Sequence, residues 1–465
     1  MKKSSKFIKF LLLTFFGLLS ESELLFSQAV RQEWAIKYNG KTNKEDICTG
    51  IAVDDDGSVY ITGYSNISGS DLDYLTIKYT SEGKQKWLKS YGTPKTVWGV
   101  SMDQAQAITI DKNGFIYVTG WSSGNVRTDY ATIKYNNAGK QQWVTPYTGK
   151  SNIMDEAYWI AVDENGNVYV TGHSYGDLPT SKDLMTTVKY NTLGKQKWIF
   201  NFDEKSDIIS QPQFVRIDKK GNVYIVGGSA NFDGSGEFDY TIIKLDSLGK
   251  MKWRQTYDGP GNAHDMAESV AIDDNGNVYV TGVSTTQKKK GKEVFATIKY
   301  NEEGNKEWET FYGGPNEKAQ ASANRIGVDE TGNVYVGGSL RLSSRSENIA
   351  VVKYDNKGTQ QWVTIYSGPE NYDKINDMVV SKKGNVYIVG SSEGAGTDND
   401  IITIRYDVAG NKTWEERFNG PKDKNDYGVA ICLDKNENVY VTGVIKAKKG
   451  KDDIITIKYS QNLPK

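Results

Sequence analysis

The sequence predicts an all-β protein: an eight-bladed β-propeller of four-stranded antiparallel blades, its ring closed by an N-terminal strand pairing with the last blade. Three observations carry this. One short unit recurs eight times in register, every copy is followed by a second hairpin unit, and the last copy lacks a strand found alone near the N-terminus.

The first unit reads IAVDDDGSVYITG at 51–63, IAVDENGNVYVTG at 160–172 and VAIDDNGNVYVTG at 270–282; the eighth copy is ICLDKNENVYVTG at 431–443. The period is about 54 residues, the spacing of a repeat architecture. Within a copy, apolar residues alternate at Ile160 and Val162 and again at Val168 and Val170, which is strand periodicity. Between them Asp163 to Gly166 places Asp first and Gly fourth, the pattern of a type I turn closed by a residue at positive φ. About ten residues later comes a second hairpin, as in DYATIKYNNAGKQQW (129–143). Two hairpins per repeat make a four-stranded blade.

Closure follows from a count of Trp. Trp87, Trp143, Trp198, Trp253, Trp308, Trp362 and Trp414 each end a G-x-x-x-W segment, and the eighth copy stops at Tyr459 without one. The missing strand is QEWAIKYNG at 32–40, with Trp34. Pairing it with the last blade removes two open sheet edges.

These units resemble the SBBP β-propeller repeats of exported bacterial proteins, which also read GNVYVTG, then D-x-x-x-K, then G-x-x-W. The resemblance covers roughly 32–459, implies an exported propeller and implies no common reaction. The family name implies seven blades, whereas this sequence counts eight. The GKxxW segment is also similar to the Trp-docking unit of eight-bladed quinoprotein propellers, and of non-catalytic relatives that include an outer-membrane assembly scaffold.

Residues present in every blade read as scaffold. They include the third-strand base (Lys78, Lys134, Lys189, Lys244, Lys299, Lys353, Arg405, Lys458), expected to cover the sheet and pair locally, and the Tyr of the VYVTG unit. The D-x-x-G turns, Asp54 to Asp56 included, have Gly fourth where a calcium loop needs it sixth, so turns are expected there. Another Asp opens the innermost strand in six blades: Asp46, Asp103, Asp155, Asp265, Asp373 and Asp426. These carboxylates either cap backbone amides of their own connections or ring one mouth of the channel.

The chain has 57 Lys and Arg against 58 Asp and Glu, so it has no basic field for a nucleic-acid backbone. Two His and two Cys, far apart, leave no material for most metal sites, and no metal or cofactor is expected. Lys2, Lys3, Lys6 and Lys9 precede an apolar run from Phe10 to Leu19, which reads as a signal peptide over 1–27, too short to span a bilayer. Residues 28–465 form one propeller domain, periplasmic or extracellular, with no transmembrane anchor. Cys48 and Cys432 are offset by roughly 13 Å on neighbouring inner strands, beyond the reach of a disulfide, so two free thiols are expected.

Function is expected where the copies differ. Trp98, Trp121 and Trp159 fall outside the scaffold set, and with Tyr64, Tyr158 and His173 they map to the looped face of blades one to three. Aromatic rings with Asp103 and Asp155 beside them suit a sugar. The leading expectation is a non-catalytic binding or scaffold protein for a glycan or envelope protein, with no catalytic residues assigned. The alternatives are a lyase or glycosidase using Asp103, Asp155 and His173 or His264, a quinoprotein, or a scaffold in envelope assembly. Basic loops at Lys288–Lys292, Arg341 with Arg345, and Lys446–Lys451 are a second surface for an anionic glycan or membrane. Arg216 replaces a small inner-strand residue and is placed to project a charge into the channel.

Overall fold

The structure, a computed structural model, describes residues 30–67, 71–94, 101–123, 127–150, 153–175, 183–202, 208–231, 237–287, 291–447 and 451–461. The segment read as a signal peptide lies outside them, as do Trp98, Lys288 to Lys290, and Lys448 and Lys449.

Eight four-stranded sheets form, seven of consecutive strands and one in which Val30–Tyr38 joins the last three strands. Blade three is typical, with Asp155–Val162, Val168–Tyr175, Asp183–Tyr190 and Gln196–Phe202 paired antiparallel in that order. The first strand of each blade packs against the first strands of both neighbours, around to blade eight and back to blade one, so these strands line the centre. In the closing blade Val30 pairs with Gln461 and Tyr38 with Ile454, as the lone Trp34 segment predicts.

The repeated residues explain one another. Each D-x-x-G Asp accepts bonds from its own turn: Asp163 Oδ1 takes the amides of Asn165 (3.0 Å) and Asn167 (2.8 Å), and its Oδ2 takes the Tyr169 hydroxyl (3.0 Å). The buried Tyr is thereby tied to the turn, and these Asp oxygens are occupied as turn ligands. The Trp and Lys reach the next blade. Trp253 Nε1 and Lys244 Nζ both donate to the Glu302 carbonyl (3.0 and 2.9 Å), while the indole covers Gly304, where a Cβ would stand 2.8 Å from the ring. Lys134 with Trp143, Lys189 with Trp198, Lys353 with Trp362 and Lys458 with Trp34 repeat the arrangement. Local pairing, expected of this Lys, is seen in blade five, where Lys299 Nζ lies 2.8 Å from Glu307 Oε2. The Lys also lies over its own blade's Tyr ring and clamps the following blade, because Lys has the length to cross the gap and a carbonyl waits there.

Every first strand carries a bulge against the second. In blade three it falls between Ala157 and Trp159 and drives the first-strand backbone onto Gly172. This close approach is why the unit ends in Gly. Cys48 and Cys432 are both free, and burial pushes the Cys48 thiol up to about 12.

Candidate functional site

The face opposite the D-x-x-G turns is built by the connection entering each first strand and the one leaving each second strand. Asp155 holds these together in blade three: its Oδ2 accepts the Gly149 amide at 2.6 Å, beside Ser174 on the second strand. Asp46 takes the Gly40 amide at 2.6 Å, Asp103 the Thr93 amide at 3.0 Å, Asp265 the Gly259 amide at 2.8 Å, Asp373 the Gly368 amide at 2.7 Å and Asp426 the Gly420 amide at 2.5 Å. All six are buried. Of the two arrangements open from sequence, the backbone-capping one is formed, and the carboxylates do not ring the channel mouth. Asp103 and Asp155 are buried beside their own loops, at 0% and 1% exposure.

Tyr64, Trp121 and His173 occupy one register in consecutive blades, opposite Ile47, Gln104 and Glu156 of the first strands. All three are half-buried. The other five blades have Gly228, Val283, Ser339, Ser391 and Val444 there, so the ring-bearing arc is confined to blades one to three.

Trp159 does not join that arc. Its ring lies 4.3 Å from the Phe214 ring of blade four, and the Arg325 guanidinium of blade six stands 5.8 Å over it. Blades three and six are not neighbours, so this contact crosses the central channel. The bulge at Tyr158 turns Trp159 inward, a register effect that residue spacing did not reveal.

Tyr158 and His173 do come together, with residues the sequence reading passed over. The Tyr158 hydroxyl donates to Glu156 Oε2 at 2.7 Å. The Tyr158 and Tyr175 rings meet the His173 ring edge-on at 5.5 and 5.7 Å. His173 Nε2 is 3.7 Å from Glu156 Oε2, and its Nδ1 is 3.5 Å from Asp183 Oδ1. Both distances exceed a hydrogen bond, and His173 Nε2 and Asp183 Oδ1 are buried without one. Burial raises the Asp183 carboxyl, with His173 opposing the rise. Burial and the bond to Glu156 hold the Tyr158 phenol far above its ordinary value. Glu156 and Asp183 carry no signal in a single sequence, because each reads as an ordinary strand-end acid. His264, the other histidine, lies apart in blade five against Phe238.

The SBBP beta-propeller repeat matches residues 36–69, 100–126, 142–179, 259–286 and 361–396. Each match spans the first strand of a blade, its turn and the second strand. Five of the eight repeats thus match the SBBP beta-propeller repeat, over about a third of the chain. A 147-residue stretch is 28% identical to the regulatory protein FlaEY of Caulobacter vibrioides, covering 27% of this chain and 15% of that protein, so the match spans a small part of the relative's length. Among solved structures, the WD40 domain of SCAP from fission yeast is similar in shape (TM-score 0.47, 10% identity, 92% of this chain and 98% of that one). So are an ulvan lyase of polysaccharide lyase family PL25 (0.46, 10%, 74% and 90%) and a protein of unknown function from Dyadobacter fermentans (0.42, 10%, 93% and 99%).

Two further features lie in other blades. Between blades seven and eight a cavity of about 590 Å³ is lined by Lys374, Asn376, Asn399, Asn425, Tyr427 and neighbours. In blade four Asp258 follows the fourth strand, and oxygens of Asp239, Asp258 and Asp265 lie within 4.8 Å of one another. Burial, then Asp258 and Asp265, push the Asp239 carboxyl up to about 6. Its native value thus exceeds the unfolded value of about 3.9, so the folded chain binds this proton more tightly. The cost of the charged trio is present at pH 7 and is relieved as pH falls through about 6 towards 4. Asp258→Asn is expected to stabilise at pH 7.5 by about 1 kcal/mol, after discounting for partial exposure, and by much less at pH 5. Thermal unfolding at the two pH values checks this, and an equal gain at both would refute the coupling.

Proposed function

We propose that this protein is an exported, non-catalytic binding propeller that holds a glycan on the looped face of blades one to three. One observation carries the reading. The Glu156–Tyr158–His173–Asp183 cluster leaves a buried imidazole nitrogen and a buried carboxylate oxygen unbonded, and buried polar groups in folded proteins are normally paired. Sugar hydroxyls both donate and accept, so one ring could serve His173 and Asp183 together while stacking on Trp121 or Tyr64 in the same register. Binding is favoured over proton abstraction because the Tyr158 phenol is held neutral by Glu156 and burial and is no base near neutral pH. Export is supported by the basic and then apolar pattern of residues 2–19.

The test is a broad glycan panel read with wild type, Trp121→Ala and His173→Ala, each variant first shown to be folded by circular dichroism. Binding that weakens at least tenfold in His173→Ala supports the site. Binding that is equal in all three would place the ligand elsewhere, and no binding by wild type would replace the glycan with a protein partner.

A further inference from the structure

The channel holds a second group of charges that the looped-face reading does not use. Arg325 of blade six donates through Nε to Asp377 Oδ1 of blade seven at 2.9 Å, and Asp377 Oδ2 accepts the Ile431 amide of blade eight at 3.0 Å. Arg325 also lies near Glu268 of blade five and under the Trp159 ring. Together with Phe214 these residues bridge the channel from several blades. Both oxygens of Asp377 are therefore engaged.

Arg216 stands two residues further along the first strand of blade four, next to the Asp218 turn. Its guanidinium lies over the Phe214 ring at 4.4 Å and feels both Asp377 and Arg325 across the channel. Among the described residues it has no hydrogen bond and no ion pair, although Arg carries five N–H donors. Protein surrounds it at longer range, yet its surface is solvent-exposed, as for a side chain standing free in a water-filled channel. Its guanidinium stays charged at neutral pH. The same strand position is Ala, Thr, Gly, Val or Cys in the other seven blades, so no other long side chain fills the space beside it.

We propose that Arg216 is the anchor of an oxyanion-binding site inside the channel, on the turn side of the Arg325–Asp377 bridge. The ligand group is a carboxylate, sulfate or phosphate oxygen pair, which takes two parallel N–H bonds from a guanidinium fork. Arg325 adds a second positive charge at longer range, and the Phe214 face fixes the guanidinium plane. This site is independent of the blade-three cluster, and either can fail without the other.

The experiment uses inorganic sulfate as the probe, with sodium chloride at matched ionic strength as the reference. Wild type is expected to show a saturable rise in melting temperature with sulfate, and Arg216→Gln to lower the apparent affinity at least fivefold. Because Arg216 bonds to no other residue described, the variant is expected to keep the wild-type melting temperature in chloride. As a readout that needs no variant, phenylglyoxal modification of wild type should be slowed by sulfate at Arg216 and not at exposed Arg345. An equal sulfate response in Arg216→Gln, no response in wild type, or no protection of Arg216 would each overturn the site.

Discussion

Gly172→Ala is expected to lower the stability of the protein by about 4 kcal/mol, among the largest effects of a single methyl group. A Cβ at residue 172 would stand 1.9 Å from the Glu156 carbonyl oxygen and 2.7 Å from the Ala157 Cα, both backbone atoms of the bulged first strand. Backbone held by a sheet cannot give way as a side-chain tip can, so the bulge must unfold locally or the blade must splay. Gly50→Ala provides the contrast. There the nearest atom is the Ile108 side chain at 3.2 Å, and the cost is expected to stay below about 1 kcal/mol. Denaturant unfolding of both variants decides the matter; a loss at Gly172 no greater than at Gly50 would show that the bulge is soft.

Removing residues 30–38 is expected to act on the whole ring. The strand supplies the outer edge of blade eight, and Trp34 Nε1 donates to the Ser81 carbonyl of blade one at 3.1 Å beside Lys458 Nζ at 3.0 Å. Its loss leaves Asp452–Gln461 as an unpaired edge and withdraws half the clamp between the last and first blades. We expect a stability loss of about 5 kcal/mol or more, with self-association through the open edge. A synthetic peptide of residues 30–38 should restore the melting temperature by adding back as a strand. An unchanged melting temperature after deletion would mean that the seven complete blades hold the ring without this strand.

Blade number, strand order and ring closure were legible in the sequence because each depends on residues repeated in register: the turn Gly, the TG Gly and the Trp. Placement within the channel was not. Trp121 and Trp159 look alike as off-repeat aromatics, but one residue of bulge separates a side chain on the looped face from one packed against Phe214. Long-range compensation was also invisible. Ser381 replaces a turn Asp in blade seven and Glu437 replaces a turn Gly in blade eight, two apparently unrelated departures. In the structure the Tyr387 hydroxyl, deprived of its Asp, donates to Glu437 Oε2 at 2.7 Å, which offsets the strain of Glu437 at φ 59°. Likewise the acids beside His173 became visible only when strand pairing set Glu156 opposite it and placed Asp183 at the start of the adjoining third strand.

The pairing of Val30 with Gln461 has a mechanical consequence. The two ends of the described chain leave the ring side by side, from the same end of one antiparallel strand pair. Tension applied across them pulls perpendicular to the strands and loads the rungs one at a time, as in opening a zipper, instead of shearing all rungs at once. The ring should therefore resist heat far better than it resists stretching from its ends, and the first event under load should be the peeling of residues 30–38 at low force.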